Sequence, residues 1–253
     1  MIDIKTKEEI EIMKKGGKIL AESLFETLRA VRPGITEAEL DRIAENAIRK
    51  RGGEPGFMRV PGYKHTICVA TNEVVVHGIP GDRILKEGDI ICIDCGVYYG
   101  GLHTDMAETI IVGSEKSVKK EVRDFLKTCK LALQEAIAVA KAGNRVGHIS
   151  NKIQNIVEGK GYSIVRSLVG HGVGRELHEE PEVPGFLQGK IERTPLLREG
   201  MTIAVEVIAT MGSPEVCYAN EDGWTIKTVD NSLSAVFERT ILINQDKPLI
   251  LTQ

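Results

Sequence analysis

The chain has 253 residues, of which 42% are hydrophobic and 27% charged, and its formal net charge is -3. That is enough for one large domain or two small ones with a well-buried core, and the balance is that of an ordinary globular protein. The small charge gives no overall pull on nucleic acid or acidic lipid, and no secretory leader or membrane-length apolar run shows, so a cytoplasmic protein needing neither membrane nor nucleic acid is expected.

Residues 7 to 31 read as a helix, with Ile10, Met13, Gly17, Leu20 and Leu24 at three- and four-residue steps and Arg32-Pro33-Gly34 as its stop. Thr36 and Glu39 form a capping box, after which Leu40, Ile43, Ala44, Ala47 and Ile48 make the apolar face of a second helix ending at Arg51-Gly52-Gly53. A Gly- and Pro-punctuated stretch leads to a strand through Ile67, Cys68 and Val69. Asn72 to Pro80 then places His77 at a strand end beside a turn, where it can face a cleft. A structural histidine is the plainer reading of that residue alone.

Ile90 to Val97 is apolar at nearly every position, so it reads as a strand covered on both faces, with Asp94 in its middle. Gly100-Gly101 marks a hairpin whose second arm carries Asp105. Two registers fit: one sets Asp94 opposite Ala107 and Gly96 opposite Asp105, and the other pairs Asp94 with Asp105 directly. In both, the carboxylates share a face roughly 5 to 8 Å apart. Either Asp105 is solvated at an edge while Asp94 caps nearby backbone, or a cation or shared proton compensates the two acids.

The five cysteines, Cys68, Cys92, Cys95, Cys129 and Cys217, are an odd number without a disulfide spacing, which suits a reducing compartment. Cys92 and Cys95 have the separation of a redox or zinc pair, but residues three apart on a strand face opposite ways. No role is expected for them.

The second half repeats the plan of the first. Residues 115 to 142 read as a long helix whose charged start is Glu115 to Lys120, and Ile149, Ile153, Ile156 and Val157 give another helix ending at Lys160-Gly161. Leu85-Lys86-Glu87-Gly88 returns as Leu197-Arg198-Glu199-Gly200, an offset of 112 that carries Asp94 onto Glu206, again an acid inside an apolar strand. His77-Gly78-Ile79-Pro80 likewise returns as His178-Glu179-Glu180-Pro181. No linker separates the halves, so the expectation is a single catalytic domain over residues 1–253. Its internal repeats, about 1–112 and 113–253, would face each other about a pseudo-twofold axis.

Gly170, Gly172 and Gly174 surround His171, but Arg175 stands where a dinucleotide fingerprint needs its third glycine, so the glycines read as room for close backbone around the imidazole. Glu238 sits at the threshold of a last buried strand. Asp94, Asp105, His171, Glu206 and Glu238 together need cations. An oxygen-rich set with one nitrogen suits two divalent ions per chain, of Mn, Fe(II), Co or Zn, which can bring a shared water to a pKa near about 7. Hydrolysis follows.

These segments resemble the type I methionine aminopeptidases, α+β metallopeptidases of the pita-bread fold, along essentially the whole chain. The resemblance rests on Asn72 to Pro80, Asp94 with Asp105, Gly170 to Pro181, Gly200 to Glu206 and Ser232 to Glu238. It implies a central antiparallel sheet covered by helices and removal of the initiator methionine from nascent peptides. Asp105 and Glu238 would bridge two metals, with His171 and Glu206 on one ion only. His77, His178 and Glu206 would be the catalytic side chains, His77 meeting the substrate main chain and His178 the developing oxyanion. Phe57, Val60, Tyr63, Cys68, Leu177 and Trp224 stand where the side-chain pocket is lined. Val60 and Leu177 replace residues that are commonly aromatic, while Val207 and Arg239 replace a proline and a histidine that commonly follow the fourth and fifth ligands. The resemblance also implies N-terminal peptide substrates, contact with the ribosome and a monomer. Two rivals stand beside it: a proline-directed peptidase on the same fold, usually with a separate N-terminal domain, and a non-catalytic module binding nascent chains or RNA.

Overall fold

A computed structural model describes residues 2–253. Its helices begin where side chains can cap them. Thr6 and Glu9 exchange side-chain and backbone hydrogen bonds at the start of α1 (Lys7–Ala30), and Thr36 and Glu39 do the same for α2 (Glu37–Lys50). In the second half the helices are α3 (Lys120–Ala138) and α4 (Val146–Glu158). The helix expected over 115–142 is therefore shorter at both ends. The Ser114 hydroxyl accepts the Lys116 N–H and closes a separate 3-10 turn over Glu115–Ser117, and Val118 is extended, so the charged run precedes the helix.

The strands are β1 (Glu54–Pro55), β2 (Ile67–Thr71), β3 (Val74–Val76), β4 (Ile90–Tyr99), β5 (Leu102–Ile111), β6 (Ser163–Ile164), β7 (Val169–Gly172), β8 (Glu179–Pro184), β9 (Thr202–Thr210), β10 (Val216–Tyr218), β11 (Ile226–Thr228), β12 (Ser234–Leu242) and β13 (Leu249–Ile250). Strands β1, β4, β2 and β5 form one antiparallel sheet, and β13, β12, β9, β7, β8 and β6 a second. A small sheet of β10, β11 and β3 stands beside them. The β4–β5 hairpin takes the first of the two registers, Asp94 opposite Ala107 and Gly96 opposite Asp105. Both turn glycines decide this: Gly100 and Gly101 have φ of 58° and 91°, the left-handed pair that a two-residue turn needs. In the second half β9 and β12 pair directly but have the β10–β11 arm inserted between them, and His77 follows a strand where His178 precedes one.

Strand alternation sorts the two faces of each sheet. Ile91, Ile93, Cys95 and Val97 of β4 pack with Leu20, Leu24, Leu40 and Ile48 of α1 and α2. Ile203, Val205, Val207 and Ala209 of β9 pack with Phe125, Leu133, Ile149 and Ile153 of α3 and α4. The residues between them, including Asp94 and Glu206, face inward. Cys92 and Cys95 belong to different clusters on opposite faces, and all five cysteines are free. Among the described residues no helix is long and apolar enough to cross a membrane.

The two large sheets meet where β5 packs on β12, and side chains make the join. The Thr240 hydroxyl donates to Asp105 O and accepts Asp105 N–H, both at 2.8 Å; the Thr109 hydroxyl donates to Val236 O at 2.7 Å and accepts Val236 N–H at 3.0 Å. Arg239 donates to Ala107 O and Glu238 O and pairs with Glu108. Thr240→Val removes the partner of the buried Asp105 N–H and that of the Asp105 carbonyl. It is expected to cost about 1–3 kcal/mol, read as a lower urea midpoint at unchanged slope.

Candidate metal centre and active site

Five strands deliver one group each to the space between the sheets: Asp94 from β4, Asp105 from β5, His171 from β7, Glu206 from β9 and Glu238 from β12. Glu206 and Glu238 are direct cross-strand partners, an arrangement that repels unless something positive lies between them. His171 pairs with Ala204, two residues along from Glu206. Backbone closes tightly around it, since a Cβ at Gly170 would meet Ala204 O and Val183 O, and one at Gly172 the Glu180 carbonyl. One donor atom each from Asp105, His171 and Glu238 lies within 4.8 Å of the others, and His171 Nε2 is 3.9 Å from Asp105 Oδ2. The His171 Nδ1–H donates to Gly172 O at 2.9 Å, because a carbonyl can only accept. That leaves the Nε2 lone pair aimed at the acids.

The thirteen candidate catalytic, metal and pocket residues of the sequence line one cavity of about 210 Å³. Phe57, Val60, Tyr63, Cys68, Leu177 and Trp224 form a single apolar wall. The Tyr63 ring stands edge-on to Trp224 at 5.1 Å, and its hydroxyl donates to Ile67 O at 2.8 Å. The Trp224 turn is held by Asp222, which accepts the Trp224 N–H at 2.7 Å. His77 stands at φ 58°, a left-handed backbone that a bulky residue rarely adopts. His178 sets its ring edge-on to His171, centroids 4.4 Å apart. Val207 faces the helices and Arg239 the seam, so neither departure from the commoner residues enters the cavity.

A second apolar wall, made by Ala70, Val75, Val76, Leu168, Ile208 and Val236, was not anticipated. Branched aliphatic residues in buried strands look like core. The available signal was parity: Ile208 is two residues beyond Glu206 and Val236 two before Glu238, on the same strand faces as the acids.

Residues 11–245 match the family model of metallopeptidase family M24. The chain belongs to this family. A methionine aminopeptidase of Clostridium perfringens is 45% identical over 252 residues, covering 100% of this chain and 99% of that one. The crystal structure of a methionine aminopeptidase from Thermotoga maritima superposes with a TM-score of 0.95 at 42% identity, over 100% of both chains. The prolidase from Pyrococcus furiosus shares the fold at a TM-score of 0.78 and 25% identity, with this chain spanning 65% of its length. The pita-bread arrangement is thus that of methionine aminopeptidases and prolidases.

The donor set of this M24 metallopeptidase fits a metal. Burial, then the repulsion of Glu206, raises Asp105 to about 8. Burial, then Asp94, raises Glu206 to about 8. Asp94 and Glu238 are driven well up, by burial first and by Asp105 next, and Asp94 Oδ1 is buried without a hydrogen-bond partner. Burial, then His178, lowers His171 to about 4, so its imidazole is neutral and free to ligate. A divalent cation answers each of these at once, with oxygen-rich ligation and one nitrogen.

The sign of the pH dependence follows. With Asp105 and Glu206 at about 8 against ordinary values of 3.8 and 4.5, the metal-free fold binds more protons than the unfolded chain and loses stability as pH rises toward 8. His171, at about 4 against 6.5, acts oppositely, but its contribution is complete above 6.5. Chelator-treated protein is expected to melt at progressively lower temperature from pH 6.5 to about 8, and saturating Mn or Co to abolish the decline. A melting temperature that rose with pH in the chelated protein would contradict the cluster.

Proposed function

We propose that this chain hydrolyses the initiator methionine from the N-terminus of nascent peptides, using two divalent ions held by Asp94, Asp105, His171, Glu206 and Glu238. The observation that carries the reading is the acid and imidazole cluster sharing one cavity with an aromatic-edged apolar wall. Asp105 and Glu238, from the strands that meet at the seam, would serve both ions, and His171 and Glu206 would serve one ion only. When bound, such ions lower the pKa of a water toward about 7 and so supply a nucleophile at neutral pH. Manganese, iron(II), cobalt or zinc suits these donors.

The chain's own residues do the rest. The wall of Phe57, Val60, Tyr63, Cys68, Leu177 and Trp224 takes the unbranched apolar methionine side chain and excludes water from it. His77, fixed by its left-handed backbone, meets the peptide main chain beside the scissile bond. His178 stabilises the oxygen that gains negative charge as the carbonyl is attacked. Glu206, facing the cavity, takes the proton lost by the attacking water and returns it to the leaving amine. Asp94 and Asp105 come from residues 1–112 and the other three ligands from 113–253, so the whole chain acts as a single catalytic unit and serves as a monomer. Nascent chains as substrates place the reaction in the cytoplasm near the ribosome.

Turnover of methionyl peptides against Xaa-Pro peptides, with metal content measured beside it, tests the reading. Faster cleavage of the Xaa-Pro series would make it a proline-directed peptidase. Asp94→Asn is expected to lose both bound metal and activity; unchanged behaviour would leave a binding module. His178→Ala is expected to lower turnover by roughly 10² to 10³ with metal content intact, the range for removing one oxyanion donor.

A further inference from the structure

Lys5 is buried, its side chain 1% exposed, although it lies in the segment ahead of α1. Its Nζ reaches Glu179 Oε2 at 2.7 Å and Asp3 Oδ2 at 3.1 Å, and its backbone N–H donates to Gly200 O at 2.9 Å. Glu179 faces two ways. Its other oxygen accepts the Glu176 N–H at 3.1 Å, and so closes the turn whose tip is Leu177 and His178. Gly174, at the near end of that turn, has no room for a Cβ because Lys5 Cε fills the space. Its carbonyl accepts the His103 N–H at 2.6 Å, and its N–H donates to Glu176 O at 3.0 Å. Arg175 is exposed and pairs with Asp3 and Glu9 on the outside of the same junction.

We infer that Lys5 is a positioning residue for the reaction: its ammonium, locked onto Glu179, sets the turn that carries His178 and Leu177 into the cavity. This rests on the methionine-removing reading above. Lys5 touches no residue of the acid cluster among its hydrogen bonds and ion pairs, so it acts only through the turn. The turn carries both a wall of the side-chain pocket and the proposed oxyanion donor. A displacement of about 1 Å at such a group can cost as much as 10²-fold in rate. The neighbouring pairs of Arg175 are exposed and carry little of this restraint.

The test uses the metal-loaded full chain as wild type, Lys5→Met, Glu179→Gln, the Lys5→Met/Glu179→Gln double variant, Lys5→Arg and Arg175→Met. Wild-type turnover of methionyl peptides tests the reaction itself; the ratios between variants and amide hydrogen exchange over residues 174–179 test the clamp. Lys5→Met is expected to lower kcat by about 10-fold or more with metal content unchanged, to alter the ratio of kcat/KM for methionyl over norvalyl peptides, and to speed exchange in 174–179 while β4 and β9 stay protected. The double variant is expected to be no slower than Lys5→Met alone, Lys5→Arg to stand nearer wild type, and Arg175→Met to change kcat by less than about twofold. A lower melting temperature with kcat and selectivity unchanged at 25 °C would make Lys5 merely structural and overturn the proposal. Faster exchange in 174–179 with unchanged kcat would overturn it equally.

Discussion

Repulsion among four carboxylates in an apolar interior is the constraint on which the rest of the structure depends. Asp94, Asp105, Glu206 and Glu238 are each pushed upward by burial and by one another, and the neutral His171 offers a lone pair rather than a charge. Such a set is stable only with protons or cations among it. Membership of the M24 metallopeptidases and the geometry around His171 both point to cations. The fold can be read as the means of holding these groups together against their own field.

It does so by distributing the load. Strand parity sends the apolar residues of β4 and β9 to the helices and leaves only the alternate positions for the acids, so Asp94 and Glu206 take no place in either helix-packed core. The join between the sheets is not a backbone ladder. Threonine hydroxyls satisfy Asp105 and Val236 across it, and the guanidinium of Arg239 does similar work at Ala107 and Glu108. Asp105 and Glu238 therefore sit within a residue or two of a stitched contact. Around the rim, Asp222 holds the Trp224 turn and Lys5 with Glu179 holds the His178 turn.

Much of this was legible in the chain. Capping boxes and three- and four-residue periods located the helices, the repeat of Leu-Lys-Glu-Gly as Leu-Arg-Glu-Gly led from Asp94 to Glu206, and an acid inside an apolar strand is unusual enough to notice. The hairpin register stayed ambiguous because either turn keeps the acids on one face; two positive-φ glycines resolve it. The helix expected over 115–142 starts later, at Lys120, because charged residues fit a helix start and a capped 3-10 turn alike. The seam left no trace in the sequence, since hydrogen bonds between residues more than a hundred positions apart impose no local period. Lys5 was equally silent. A lysine near a helix start reads as solvated, and only the folded position of Glu179 makes it otherwise.

The parity of β9 has a consequence for how such a chain can diverge. Its side chains alternate between the helix layer and the cavity, so gaining or losing one residue inside the strand would exchange the two sets. Val205 or Val207 would then be presented to the cavity and Glu206 driven among Phe125 and Ile153. Length changes are therefore tolerable only where the chain leaves the sheets, as in the connection from β8 to β9 or the arm between β9 and β12. Lineages built on this plan can lengthen their loops freely while their acid-bearing strands keep count.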